Sequence, residues 1–211
     1  MPRPSTADRR RHELLPTVAS AFAQTGYARA TTADLARRCE VPENTLFRLW
    51  GDKKHMYLAA LDHLYERTVE VWGRRLQDLP AAGSAAERLL DYESEHYGEH
   101  GLYRIIFTGL SEIDDPDIRK ALRGMYRRFH EFVAAQIGAH RASRGAPAAP
   151  DADLLAWAVM GMATIAGIGR ELRLVSAAQQ RDLFTHVGRA VLELGAPTPP
   201  VTSPNQTERE R

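Results

Sequence analysis

Four polar side chains within six residues, Glu43, Asn44, Thr45 and Arg48, carry hydrogen-bonding chemistry suited to base edges. Asn can bond adenine, Arg can bond guanine and Glu can accept from cytosine in the major groove. That chemistry needs one rigid element that presents them outward. ENTLFRLW provides it: Leu46 and Leu49 or Trp50 recur on an apolar face, and Pro42 suits the opening of a helix over 42–50. Upstream, TTADLARRC reads as a second short helix, with Thr31 as N-cap and Asp34 where the dipole favours an anion. Leu35 and Ala36 face inward, and Glu40 and Val41 turn the chain. Two short amphipathic helices across such a turn are helix-turn-helix geometry, in which the second helix enters the major groove. The expected partner is double-stranded DNA.

Other constellations imply less. His96 and His100 lie four apart, close enough on a helix to ligate zinc, but Gly98 and Gly101 interrupt that helix and spacing fixes no third ligand. No metal is expected. The lone cysteine, Cys39, excludes an intramolecular disulfide and reads as a small core residue. No nucleophile–base pattern and no glycine-rich phosphate loop after a strand is present, so an enzyme is the weakest reading and no cofactor is implied.

The net charge of +1 gives no global signal for nucleic acid. Its distribution is more telling: residues 1–56 hold 10 Lys/Arg against 6 Asp/Glu, and the remainder 18 against 21. A basic head on a slightly acidic body fits local DNA contact. The start MPRPSTADRRR has no apolar signal-peptide core, and the longest uncharged run, residues 154–169, is shorter than the roughly 20 residues of a membrane span. The expected location is the cytoplasm, without a membrane.

The elements that must position the motif are all helical. The spacing predicts helices over about 8–25, 31–39, 42–50, 53–79, 84–98, 101–111, 116–141, 151–173 and 177–194, with no convincing strand. Pro16 either kinks the first helix or falls in its first turn. Met56, Leu61, Leu64 or Tyr65, Val69 and Trp72 mark the inner face of the long fourth helix. The fold class is all-α: a three-helix head over 8–56, a helical bundle over 57–194, and a proline-bearing tail over 195–211 expected to be disordered.

The head resembles the TetR family of transcriptional regulators. The resemblance covers about residues 10–60 and rests on Ala21-Phe22, Gly26, Thr31-Thr32, Leu35-Ala36, Val41, Thr45-Leu46-Phe47, Trp50 and Lys53. Three positions depart from the family pattern. Glu40 replaces the usual turn glycine, Pro42 the usual cap serine, and Phe47 the tyrosine whose hydroxyl often bonds a phosphate. The resemblance then leaves the phosphate grip to Thr31, Thr32, Thr45, Lys53 and Lys54.

It also implies a homodimer, a ligand cavity in the bundle and repression. Tyr92, His96, Tyr103, Arg104, Phe107, Phe129 and Trp157 are the candidate ligand residues for an unidentified small-molecule effector. The small-residue-rich helix near 151–173 and the helix near 177–194 are the candidate dimer interface. The expected function is a repressor released from a palindromic operator by a small molecule. The alternative is a ligand-binding or scaffold protein with a vestigial head.

Overall fold

The computed structural model describes the backbone of residues 5–78, 83–98, 102–146 and 150–194. The expected tail, His100 and the side chain of Tyr103 lie outside the described parts. Every regular element among the described residues is helical.

α1 spans Thr6–Thr25 and starts two residues earlier than the periodicity predicts, because Ser5 and Asp8 form a capping box. It continues through Pro16, which leaves the carbonyl of His12 without its helical partner. Both residues are on the exposed side. Gly26 ends α1 at φ 76°, and a Cβ there would lie 3.1 Å from the Thr108 methyl. α2 (Thr32–Arg38) is capped by the Thr31 hydroxyl, which accepts from the Asp34 amide at 3.1 Å. α3 spans Glu43–Trp50, with Pro42 at its cap position.

α4 (Lys53–Asp78) connects head to body, and the Asp52 carboxylate accepts the His55 amide at its start. α5 (Ala85–His96) opens on a Ser84/Glu87 capping box and stops at Tyr97, ahead of Gly98 at φ 85°. α6 spans Leu102–Leu110. α7 (Pro116–Ser143) is capped by Asp115, which accepts the amides of Asp117 and Ile118. α8 (Ala152–Glu171) is capped by Asp151.

The helix predicted over 177–194 is three segments in line. α9 (Ala177–Asp182) widens into a π-helical stretch, Leu183–Gly188, and tightens again as α10 (Arg189–Leu192). The stretch ends on Gly188, where a Cβ would stand 2.9 Å from Leu90 of α5.

One hydrophobic core runs from Leu14, Phe22 and Leu46 in the head through Met56 and Tyr57 to Ile105, Ile118 and Phe129. It crosses residues 56 and 57 without a break, so head and body share packing. A second core joins Leu90, Ile137, Leu155 and Phe184 at the far end of the bundle.

Candidate nucleic-acid interface and internal cavity

Leu46 and Leu49 anchor α3 in the head core. Asn44, Phe47 and Arg48 consequently face outward, Phe47 with 43% of its surface exposed. Among the described cations of the head, Arg9 and Arg48 have no hydrogen bond or ion pair within the chain. Several other candidates are engaged. The Thr32 hydroxyl donates to the Glu43 carboxylate, tying α2 to α3. The Thr31 hydroxyl donates to Asp34 at 2.9 Å. Arg11 braces α3 from α1, its Nε 2.6 Å from the carbonyl of Leu49.

Lys53, expected on a phosphate, is turned inward. Its ammonium donates to the carbonyls of Tyr27 (3.0 Å) and Ala30 (3.2 Å) and lies 4.4 Å from the centre of the Tyr27 ring. Sequence spacing cannot register this, because the partners are carbonyls of the α1–α2 loop. Lys54 is also redirected: it pairs with Asp117 (2.6 Å) and Asp115 (3.3 Å) at the start of α7, and the hydrogen bonds that its ammonium donates to those carboxylates hold its pKa above the ordinary range. Glu40 adopts φ 55°, the left-handed conformation that the missing glycine would have taken freely. Cys39 is buried, and desolvation raises its thiol pKa.

Behind the head, residues of α4, α5, α6, α7 and α8, with Phe184 and Leu192 of the last helical segments, line a cavity of about 190 Å³. Of the expected ligand residues, His96, Phe107 and Phe129 line it. Tyr92 does not: its ring is buried under the Arg75 guanidinium, 5.5 Å away, and stacks on His96. Arg104 is exposed, 3.8 Å from Glu171. Trp157 is on the outer side of α8, stacked on His130 at 4.4 Å. The cavity instead recruits Trp72, Glu93, Tyr126, Phe132, Gln136 and Thr164. Glu93 was legible in principle, being three residues from His96 on the same helical face.

α6 stands between cavity and head. Ile106 and Phe107 line the cavity, while the Ile105 carbonyl accepts from the buried Tyr57 hydroxyl at 2.9 Å. Burial pushes the Tyr57 phenol pKa well above its usual range, keeping it a donor. One turn on, Thr108 packs against Gly26 at the end of α1.

The far side of the bundle has an apolar outer face. Leu154, Trp157, Ile165 and Leu172 are exposed along α8 and its C-cap, with Val187 and Leu194 exposed nearby. Among the described residues, α8 is the one helix long and apolar enough to cross a membrane. Its other side is part of the second core through Leu155, Ala156 and Ala166.

Residues 17–60 match the family model described as bacterial regulatory proteins, tetR family. No curated protein matches the chain. Solved structures match over nearly its whole length. A TetR-family transcriptional regulator from Cytophaga hutchinsonii aligns at 19% identity over 92% of this chain and 97% of its own, with a TM-score of 0.73. A TetR transcriptional regulator from Chloroflexus aurantiacus aligns at 22% identity, 88% and 95% coverage and a TM-score of 0.71. A transcriptional regulator from Saccharomonospora viridis, solved in complex with choline, aligns at 21% identity, 83% and 93% coverage and a TM-score of 0.70.

Proposed function

We propose that this chain, whose residues 17–60 match the tetR-family model and whose fold resembles that of TetR-family regulators, is a cytoplasmic, homodimeric repressor released from a palindromic operator by a small molecule. The observation that carries the DNA-binding part is the outward face of α3. Asn44 and Arg48 are exposed there with no partner in the chain, beside Phe47. Asn44 reads adenine, Arg48 reads guanine, and Phe47 can touch a thymine methyl. Thr31, Thr32 and Thr45 lie toward the backbone. Lys53 acts indirectly, by fixing the loop that presents α2. Glu43 serves first as the tie to Thr32.

Two heads reading successive major grooves must present α3 about 34–36 Å apart. In this reading residues 8–56 bind DNA and 57–194 hold the effector and the dimer contact, a division of roles across one shared core. The apolar faces of α8 and of the Ala177–Leu192 region form the contact between protomers. An effector in the cavity presses on α6 through Ile106 and Phe107. α6 passes the displacement to α4 at Tyr57 and to α1 at Gly26, changing the spacing of the heads. The coupling required is about 1–3 kcal/mol. The choline complex of the Saccharomonospora viridis regulator supports small-molecule occupancy of this kind of bundle.

Fluorescence anisotropy of the purified protein on its own upstream DNA, at two salt concentrations and against scrambled DNA, tests the reading. Selective binding that weakens with salt is expected. Equal binding to both DNAs would sink it. A second reading, a ligand-binding protein with a weakened head, draws on the inward Lys53 and on Phe47. An Arg48→Ala variant with unaltered regulation in cells would favour that one.

A further inference from the structure

We infer that Arg11 is a positioning residue for the reading helix: by fixing the C-terminal end of α3 from α1, it sets operator discrimination without itself touching DNA. The inference rests on reading α3 as the element that enters the major groove. α3 has eight residues, well below the roughly 12–15 at which a helix is even marginal alone. Its orientation must therefore come from outside. Leu46 and Leu49 anchor it in the head core, but apolar burial is non-directional. The directional contacts are two polar ties at opposite ends. The Thr32 hydroxyl of α2 donates to Glu43 at the start, and Arg11 Nε donates to the carbonyl of Leu49 at the finish, at 2.6 Å. Asn44 and Arg48 lie between these ties in the chain.

Arg11 is itself held. Its Nη1 donates to Asp8 Oδ1 at 2.7 Å, while Asp8 Oδ2 accepts the Ser5 hydroxyl, also at 2.7 Å, in the capping box of α1. One carboxylate oxygen closes the cap and the other holds the guanidinium. A guanidinium is planar, so two nitrogens bonded to two fixed acceptors fix its plane. A cation at the C-terminal end of α3 is also favoured by the helix dipole. The support thus runs from Ser5 through Asp8 and Arg11 to Leu49. Its first three members precede residues 17–60, the stretch that matches the family model. Hydrogen bonds to base edges weaken steeply as they lose alignment, so a tilt of α3 would degrade what Asn44 and Arg48 can read.

Anisotropy titrations of the full chain on its own upstream DNA and on scrambled DNA, at several salt concentrations, test this. Arg11→Met keeps the apolar stem and removes both donors. It should cut the preference for upstream over scrambled DNA at least tenfold, leaving the salt slope on scrambled DNA unchanged. A slope smaller by about one would make Arg11 a phosphate contact and overturn the inference. In an Arg48→Ala background the same substitution should cost only about threefold or less, because the side chain it helps to aim is gone. Losses that multiply independently would overturn it too, as would a preference that Arg11→Met retains. Melting curves check that the variants are folded. Should Arg11→Met not fold, Arg11→Lys carries the test: one ammonium cannot reproduce the fork, and about a threefold loss of preference is expected, an undiminished preference being the contrary result. A parent protein with no preference defeats the DNA reading itself, and this inference with it. A parent with a preference that does not depend on residue 11 defeats the inference alone.

Discussion

Glu40 is the clearest residue-scale conflict between sequence and conformation. It stands at φ 55° in the turn between α2 and α3, exposed, where a side chain gains nothing from packing. A left-handed residue other than glycine costs roughly 1–2 kcal/mol, partly offset by the entropy glycine loses on folding. Glu40→Gly should therefore stabilise the protein by about 1 kcal/mol, a rise in Tm of about 2–4 °C for a chain of this size. Calorimetry checks it, and a lower Tm would mean that the carboxylate has a role the turn geometry does not reveal. At Arg48 the expected loss is of discrimination and not of fold. Arg48→Ala should reduce the preference for operator over scrambled DNA by about 1–3 kcal/mol, with the Tm unmoved. The outward face of α3 was legible because it needs only local information: Leu46 and Leu49 define the inner side and the rest follows. The inward turn of Lys53 was not, since its two carbonyl partners are 26 and 23 residues away in the chain.

At the scale of elements, helix starts were legible and helix faces less so. Caps are local chemistry: Thr31, Ser84, Asp115, Asp151 and Ser176 each accept an amide from the first turn of the helix that follows. Which side of α5 faces the cavity is decided by its neighbours. Arg75 of α4 covers Tyr92, so the adjacent Glu93 turns to the cavity. The same kind of constraint makes α6 sensitive at Gly109, where a Cβ would fall 2.2 Å from the Tyr57 hydroxyl. Gly109→Ala must displace Tyr57 or α6, and it should destabilise the chain by about 1–3 kcal/mol in denaturant unfolding. An unchanged midpoint would mean that α6 is not held against α4 as described.

The junction of α4 and α7 adds a pH dependence. At Asp115, burial raises the carboxyl pKa, but amide hydrogen bonds from Ile118 and Asp117 and the Lys54 ammonium outweigh it, and the net shift is downward. A carboxyl lowered on folding contributes stability that is complete above its unfolded pKa of about 4 and is lost as pH falls through the folded value. Asp115→Asn should therefore flatten the fall in stability below about pH 4. Parallel curves for the variant and the parent would remove Asp115 from that account.

For the whole molecule, the question is what covers the outer face of α8. The inner side of that helix is committed to the second core through Leu155, Ala156 and Ala166, so it cannot enter a bilayer without dismantling the bundle. The outer side leaves Ile165 63% and Leu154 61% exposed, with Trp157 between them in the chain. Ala158 and Gly161 on the same stretch have no bulk to hold a partner away. An apolar face of this kind on an otherwise charged surface marks an interaction site, and a two-fold pairing of identical faces is the commonest way to cover one. In the proposed repressor such a pairing would give a palindromic operator two readers, each raising the effective concentration of the other. Ile165→Glu should leave each protomer folded, because the side chain makes little contact within its own chain, while placing a buried carboxylate at the centre of the proposed interface. Light scattering after size exclusion should then give the mass of one chain instead of two. Operator affinity should fall on the order of 10²-fold, through loss of the linked second head, while weak binding to a half-site persists. A variant that keeps the dimer mass would move the interface away from α8, and a monomer that binds the full operator as well as the parent would break the tie between dimerisation and DNA reading.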